Sequence, residues 1–105
     1  MPFIRANEGV VTQVNIFTVE PEKQQELIDL LRESAEFVRS VPGWISASIH
    51  RSLDGTRVVN YAQSEDRESA QRVIDALREA GYLERNRALG VASPGLYEVV
   101  ATIER

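Results

Sequence analysis

Residues 42 to 64, Pro-Gly-Trp-Ile-Ser-Ala-Ser-Ile-His-Arg-Ser-Leu-Asp-Gly-Thr-Arg-Val-Val-Asn-Tyr-Ala-Gln-Ser, leave this chain few ways to fold. Two stretches rich in β-branched and aromatic residues, Trp44 to Arg51 and Arg57 to Gln63, flank Asp54-Gly55, where glycine readily takes the positive φ of a tight return. They predict a β-hairpin, and each end of it meets a helical stripe. Upstream, Pro21 suits a first helical position and Glu20 and Glu22 complement a positive helix end. Leu27, Leu30, Leu31, Ser34 and Val38 then recur at helical spacing, predicting a helix that Pro42-Gly43 ends near Ser40. Downstream, Ala70, Val73, Ile74 and Leu77 recur at i, i+3, i+4 and i+7, predicting a second helix from about Glu65 to Ala80 that Gly81 closes.

An outer strand lies at each end. Val10 to Val19 is β-branched and apolar on both alternating faces, with Val11, Phe17 and Val19 on one and Val10, Val14 and Ile16 on the other. Tyr82 to Leu89 reads as a short extra helix, and Ser93-Pro94-Gly95 as a turn into a last strand, Leu96 to Ile103. The order β-α-β-β-α-β defines an α+β fold, ferredoxin-like, with an antiparallel sheet and right-handed crossovers that put both helices on one face. The other face would be bare, yet the outer strands are apolar on both sides. A second copy is its simplest cover, so the chain is expected to form a homodimer with two sheets face to face, a dimeric α+β barrel.

With 105 residues, 43% apolar and 27% charged, the chain suits one domain spanning residues 1–105. A net charge of −4 argues against a nucleic-acid partner, which draws on concentrated Lys and Arg. No stretch approaches the roughly 18 apolar residues of a membrane span, and Met1-Pro2-Phe3-Ile4-Arg5 lacks a secretory apolar core, so no membrane partner and a cytoplasmic location are expected. Zero cysteines exclude a disulfide framework, a thiol nucleophile and a thiolate metal site.

Strand periodicity sets Trp44, Ser46, Ser48 and His50 on one face and Ile45, Ala47 and Ile49 on the other; Val58, Asn60 and Ala62 oppose Val59, Tyr61 and Gln63; Gln13, Asn15 and Phe17 share a face. Asn15, His50, Asn60 and Tyr61 are therefore polar where apolar groups would be cheaper to bury. Either they satisfy one another or they line a pocket. Asn60 is a candidate donor to a substrate carbonyl or phenolate, or a structural amide; His50, the sole histidine, could act as a base near neutral pH, or sit at the surface. Tyr61 and Tyr97 read as aromatics of the core or dimer interface, and Trp44, just after Pro42-Gly43, as a packing residue.

Gln13-Val14-Asn15-Ile16-Phe17, the Pro42-Gly43 entry, the hairpin and Val58-Val59-Asn60-Tyr61-Ala62-Gln63 together closely resemble the antibiotic biosynthesis monooxygenase family, over nearly the whole chain. The resemblance implies a dimeric barrel with its pocket between sheet and helices. It also implies a cofactor-independent monooxygenase, needing no metal or flavin, that oxidises an electron-rich aromatic or polyketide-like substrate with O2. Asn60 matches the strand asparagine that holds the substrate oxygen, and a late arginine, Arg85 or Arg87, would stabilise charge. Asn15 finds its motif support in the haem-degrading branch, whose axial histidine on the second helix is replaced here by the Val73-Ile74 stretch, which disfavours haem. Two aromatic pocket positions of the family fall at Ser64 and Ala70, which predicts a wider or retuned pocket. Ser64, before Glu65-Asp66, also reads as the N-cap of the second helix. Catalytic candidates are thus Asn60, His50, Arg85 and Arg87, and substrate-binding candidates Asn15, Tyr61, Ser64 and Trp44. A polyketide cyclase of similar fold and a non-catalytic dimeric binding module are the competing readings.

Overall fold

The computed structural model describes residues 1–105. Its elements run β1 (Val11–Val19), a 3-10 turn (Pro21–Lys23), α1 (Gln24–Val38), β2 (Trp44–Arg51), β3 (Arg57–Ser64), α2 (Arg67–Glu79), α3 (Tyr82–Leu89) and β4 (Gly90–Glu98). The strands form one antiparallel sheet in the order β2-β3-β1-β4, an α+β ferredoxin-like fold.

The apolar stripes place the helices. Leu27, Ile28 and Leu31 of α1 bury against Phe17 and Val19 of β1 and Val58 of β3. A separate cluster joins Val38 at the end of α1 to Val73 and Leu77 of α2, with Trp44, Tyr82 and Leu83 against it. Each fully buried Leu, Val or Phe contributes roughly 1.5–3 kcal/mol, so these clusters fix where the helices lie on the sheet.

The β2–β3 hairpin is organised by Asp54, whose Oδ1 accepts from the Thr56 backbone N–H at 3.0 Å, the Thr56 hydroxyl at 2.7 Å and the Ser52 hydroxyl at 2.9 Å. Gly55 takes φ +81°, as the tight return requires. Gln24, at the start of α1, donates through Nε2 to the carbonyls of Ser52 at 3.2 Å and Arg57 at 3.0 Å, tying the helix to the turn.

Three local expectations are corrected. A bulge between Trp44 and Ser46 breaks strict alternation in β2: Trp44 pairs with Ser64, whereas Ser46 pairs with Gln63. The extra residue, Ile45, moves Trp44 to the helix-covered face with Ala47 and Ile49, away from Ser46, Ser48 and His50. The N-cap of α2 is Asp66, whose side chain accepts from the Ser69 N–H at 2.8 Å; Ser64 ends β3 and is buried. The last strand is Gly90–Glu98, and residues 99–105 lie outside it. Pro94 sits inside β4 because β4 pairs only with β1, and an edge strand tolerates a residue without an N–H.

Candidate functional site

Three amide side chains stand on the helix-covered face of the sheet. Gln13 and Asn15 come from β1 and Asn60 from β3, and Asn15 and Asn60 are direct cross-strand partners. Asn15 is tethered, its Oδ1 accepting from the Ser93 N–H at 3.1 Å. Asn60 is not: its Oδ1 is buried without a hydrogen-bond partner. A fourth amide, Asn86, descends from α3, where the residue is 5% exposed and its Oδ1 is also buried and unpaired. Leaving a buried acceptor unsatisfied costs about 1–3 kcal/mol, which makes Asn60 and Asn86 the candidates here for contact with a ligand or water.

Two cavities lie against this row. One, of about 140 Å3, is roofed by Ile74 and Arg78 of α2 and Leu83, Asn86 and Arg87 of α3, and floored by Gln13, Asn15, Phe17, Ala92 and Pro94. The other, of about 20 Å3, is bounded by Asn60, Gln13, Trp44, Ala62, Val73 and Leu77, with Ser34 of α1 above. A larger depression of about 560 Å3 lies between Met1 to Val10 and the start of β2. Its inward polar pair is already satisfied, Ser46 Oγ donating to Gln63 Oε1 at 2.9 Å, and Asn60 does not line it.

The sequence candidates separate into distinct places. Asn15, Arg87, Asn60 and Trp44 reach the two cavities. His50 and Tyr61 stand on the opposite, uncovered face, through register with Val59 and Val14 respectively, so within one chain they do not share a pocket with Asn60. Arg85 is held at the surface by Glu33 at 3.3 Å and lies over the Tyr82 ring at 5.2 Å. The same Glu33 carboxylate, accepting from the Tyr82 phenol, pushes that phenol above its ordinary pKa. Ser64 and Ala70 are buried and line neither cavity. Trp44, the cross-strand partner of Ser64, puts an indole beside Asn60 instead.

Asn86, Gln13 and Arg78 were not anticipated as site residues. Asn86 had a signal: it lies three residues from both Leu83 and Leu89, on the inward stripe of α3 where an apolar residue is expected. No group of three or more His, Asp or Glu side chains is placed to hold a metal ion.

A four-stranded antiparallel sheet with its helices on one face defines the α+β ferredoxin-like class. Residues 10–76 match the family model described as Antibiotic biosynthesis monooxygenase, and the chain belongs to that family. Over 64 residues, 60% of this chain, it is 47% identical to the Tetracenomycin-F1 monooxygenase of Streptomyces glaucescens, a match that spans 57% of that relative's length. Among solved structures, a variant of SnoaB, a cofactor-independent oxygenase from Streptomyces nogalater, superposes with a TM-score of 0.80 at 25% identity, covering 92% of this chain and 99% of SnoaB. The monooxygenase from the gene ActVA-Orf6 of Streptomyces coelicolor, solved with the ligand Nanaomycin D, gives a TM-score of 0.78 at 34% identity, covering 92% of both chains.

Proposed function

We propose that this chain is a cofactor-independent monooxygenase that oxidises an electron-rich aromatic or polyketide-like substrate with O2, in the pocket between sheet and helices. The observation that carries the proposal is the Asn60 amide at the wall of the smaller cavity, engaged by no other side chain or backbone group and so free to donate its N–H, beside a row of further amides, in a family whose relatives named above are oxygenases. The substrate supplies the electrons. An anthrone or hydroquinone loses a proton to give an enolate or phenolate. For an anthrone, dioxygen adds at the activated carbon, a second C–H proton leaves, and the O–O bond breaks. One oxygen stays as the new carbonyl and the other departs as water.

The protein's part is to position the substrate, exclude water and hold negative charge. Asn60 donates its amide N–H to the developing oxyanion, and Arg87, at the rim of the larger cavity, supports that charge. Arg85 is engaged with Glu33 and Tyr82 and is left out of this role. Quinone formation from an anthrone, followed by absorbance, should need air and should fall at least tenfold in Asn60→Ala, toward the roughly hundredfold or more that one oxyanion donor is worth. Turnover that persists without oxygen would favour a cyclase, and equal oxidation by the Asn60 variant would remove its role.

The uncovered sheet face supports a homodimer on the same reading. Ile16, Val91 and Tyr97 are 40%, 74% and 58% exposed there, beside the half-buried Val14, Val59 and Tyr61. In such a pair His50 and Tyr61 would lie at the interface. No helix is long and apolar enough to cross a membrane, and a chain without cysteine suits the reducing cytoplasm, where we place it.

A further inference from the structure

We propose that Gln13 is a movable partition that divides one substrate pocket into two compartments and sets the size of ring system able to reach Asn60. The inference rests on the oxygenase reading for its chemistry, and on the cavity geometry for its substance.

Gln13 is the one residue that lines both the cavity of about 140 Å3 and the cavity of about 20 Å3. Register explains why. On β1 it sits between Ala62 of β3 on one side and Leu96 of β4 on the other, with its side chain on the helix-covered face. One pleat further along, Asn15 faces the larger compartment, while its cross-strand partner Asn60 faces the smaller.

Size then decides. A space of about 20 Å3 holds on the order of one water. Neither the larger compartment, about 140 Å3, nor the two joined reaches the roughly 300 Å3 at which small-molecule sites begin, so the volume of the Gln13 side chain itself has to be added to the space. A polycyclic substrate can touch Asn60 only if the wall between the compartments gives way. Phe17 and Val73 are locked in the core at 1% and 4% exposure, and Asn15 is tethered to Ser93. Gln13 is half-buried, unbranched and without such a tether, so its rotation costs least. Once it moves aside, Asn60 and Asn86, each with an unpaired acceptor, face one continuous space. A multi-ring aromatic with hydroxyl groups toward both ends would satisfy both amides.

The test compares wild type, Gln13→Ala and Gln13→Leu on a one-ring hydroquinone and a three-ring anthrone. Gln13→Ala removes the partition and should raise the three-ring to one-ring ratio of kcat/KM about tenfold or more, chiefly through a lower KM for the larger substrate. Gln13→Leu keeps the bulk without the amide and should leave the ratio near wild type. An active Gln13→Ala enzyme with an unchanged ratio would overturn the proposal. If the wild type oxidises neither compound, the oxygenase reading fails, and the partition is judged by binding of the three-ring quinone, read from quenching of Trp44. There Gln13→Ala should bind about tenfold more tightly, and equal affinity would overturn it. Should the alanine variant fail to fold, Gln13→Ser carries the same comparison.

Discussion

Replacing Gly43 with alanine should cost the fold about 2 to 5 kcal/mol, although the change adds only a methyl group. Gly43 holds φ +89°, where an L-residue loses roughly 1–2 kcal/mol. A Cβ there would also run into Oγ and Cβ of Ser69, and displacing a packed group in this way costs about 1–3 kcal/mol. Ser69 cannot yield freely. It is 1% exposed, its Oγ accepts from Arg72 Nη2 at 2.9 Å, and Arg72 also donates to the Pro42 carbonyl at 3.3 Å. The Gly43 carbonyl in turn accepts from the Glu65 N–H at 2.8 Å, so the turn before β2 and the approach to α2 form one clamp. Urea unfolding at fixed protein concentration, followed by the fluorescence of Trp44, the sole tryptophan, reads the loss beside the clamp itself. Ser69→Gly separates the two terms: in the double variant the collision disappears, and a favourable coupling of about 1–3 kcal/mol should remain after the single losses are subtracted. A loss under about 0.5 kcal/mol in Gly43→Ala, or strict additivity in the double variant, would refute the argument.

Three further outcomes are expected. The hydrogen bonds from Thr56 and then Ser52 hold the Asp54 carboxyl down from 3.8 to about 2, so its contribution to the hairpin is complete above the ordinary value and is lost as pH falls toward 2. The protection factor of the Thr56 amide should fall across that window, and Asp54→Asn should remove that change. Arg87→Ala should raise KM for an anthrone several-fold, because Arg87 lines the larger cavity, whereas Arg85→Ala should leave steady-state kinetics within about twofold, since Arg85 and its partner Glu33 lie at the surface and Arg85 lines neither cavity. If the chain pairs through its uncovered sheet face as proposed, the wild type should sediment as a dimer and Ile16→Lys, at the centre of that face, toward monomer; a monomeric wild type or an unchanged mass in the variant would overturn that pairing.

Most of the fold was legible because its signals are periodic. The two helical stripes, the Asp54-Gly55 return and the apolar first strand give the element order and the helix-covered face. What escaped depends on single residues that shift a period. The bulge at Ile45 carries no sequence mark, yet it turns Trp44 from the uncovered face to the wall of the Asn60 cavity, since one extra residue exchanges the faces of a strand. Ser93-Pro94-Gly95 has the composition of a turn, but an edge position with its one partner β1 lets it run as strand. Asp66 rather than Ser64 caps α2, because the β3 ladder continues through Ser64. At the site, Asn15 and Asn60 were visible as amides in apolar strands. Asn86 and Gln13 were harder to see: their importance arises only when α3 descends onto β1 and leaves space between them.

Oxidation of an anthrone under isotopically labelled dioxygen tests the central claim most directly. Mass spectrometry of the quinone should find one labelled oxygen atom per molecule formed by the wild-type chain, with the enzymatic rate reduced at least about tenfold in Asn60→Ala. Unlabelled quinone, or labelled quinone formed no faster than without protein, would contradict the account.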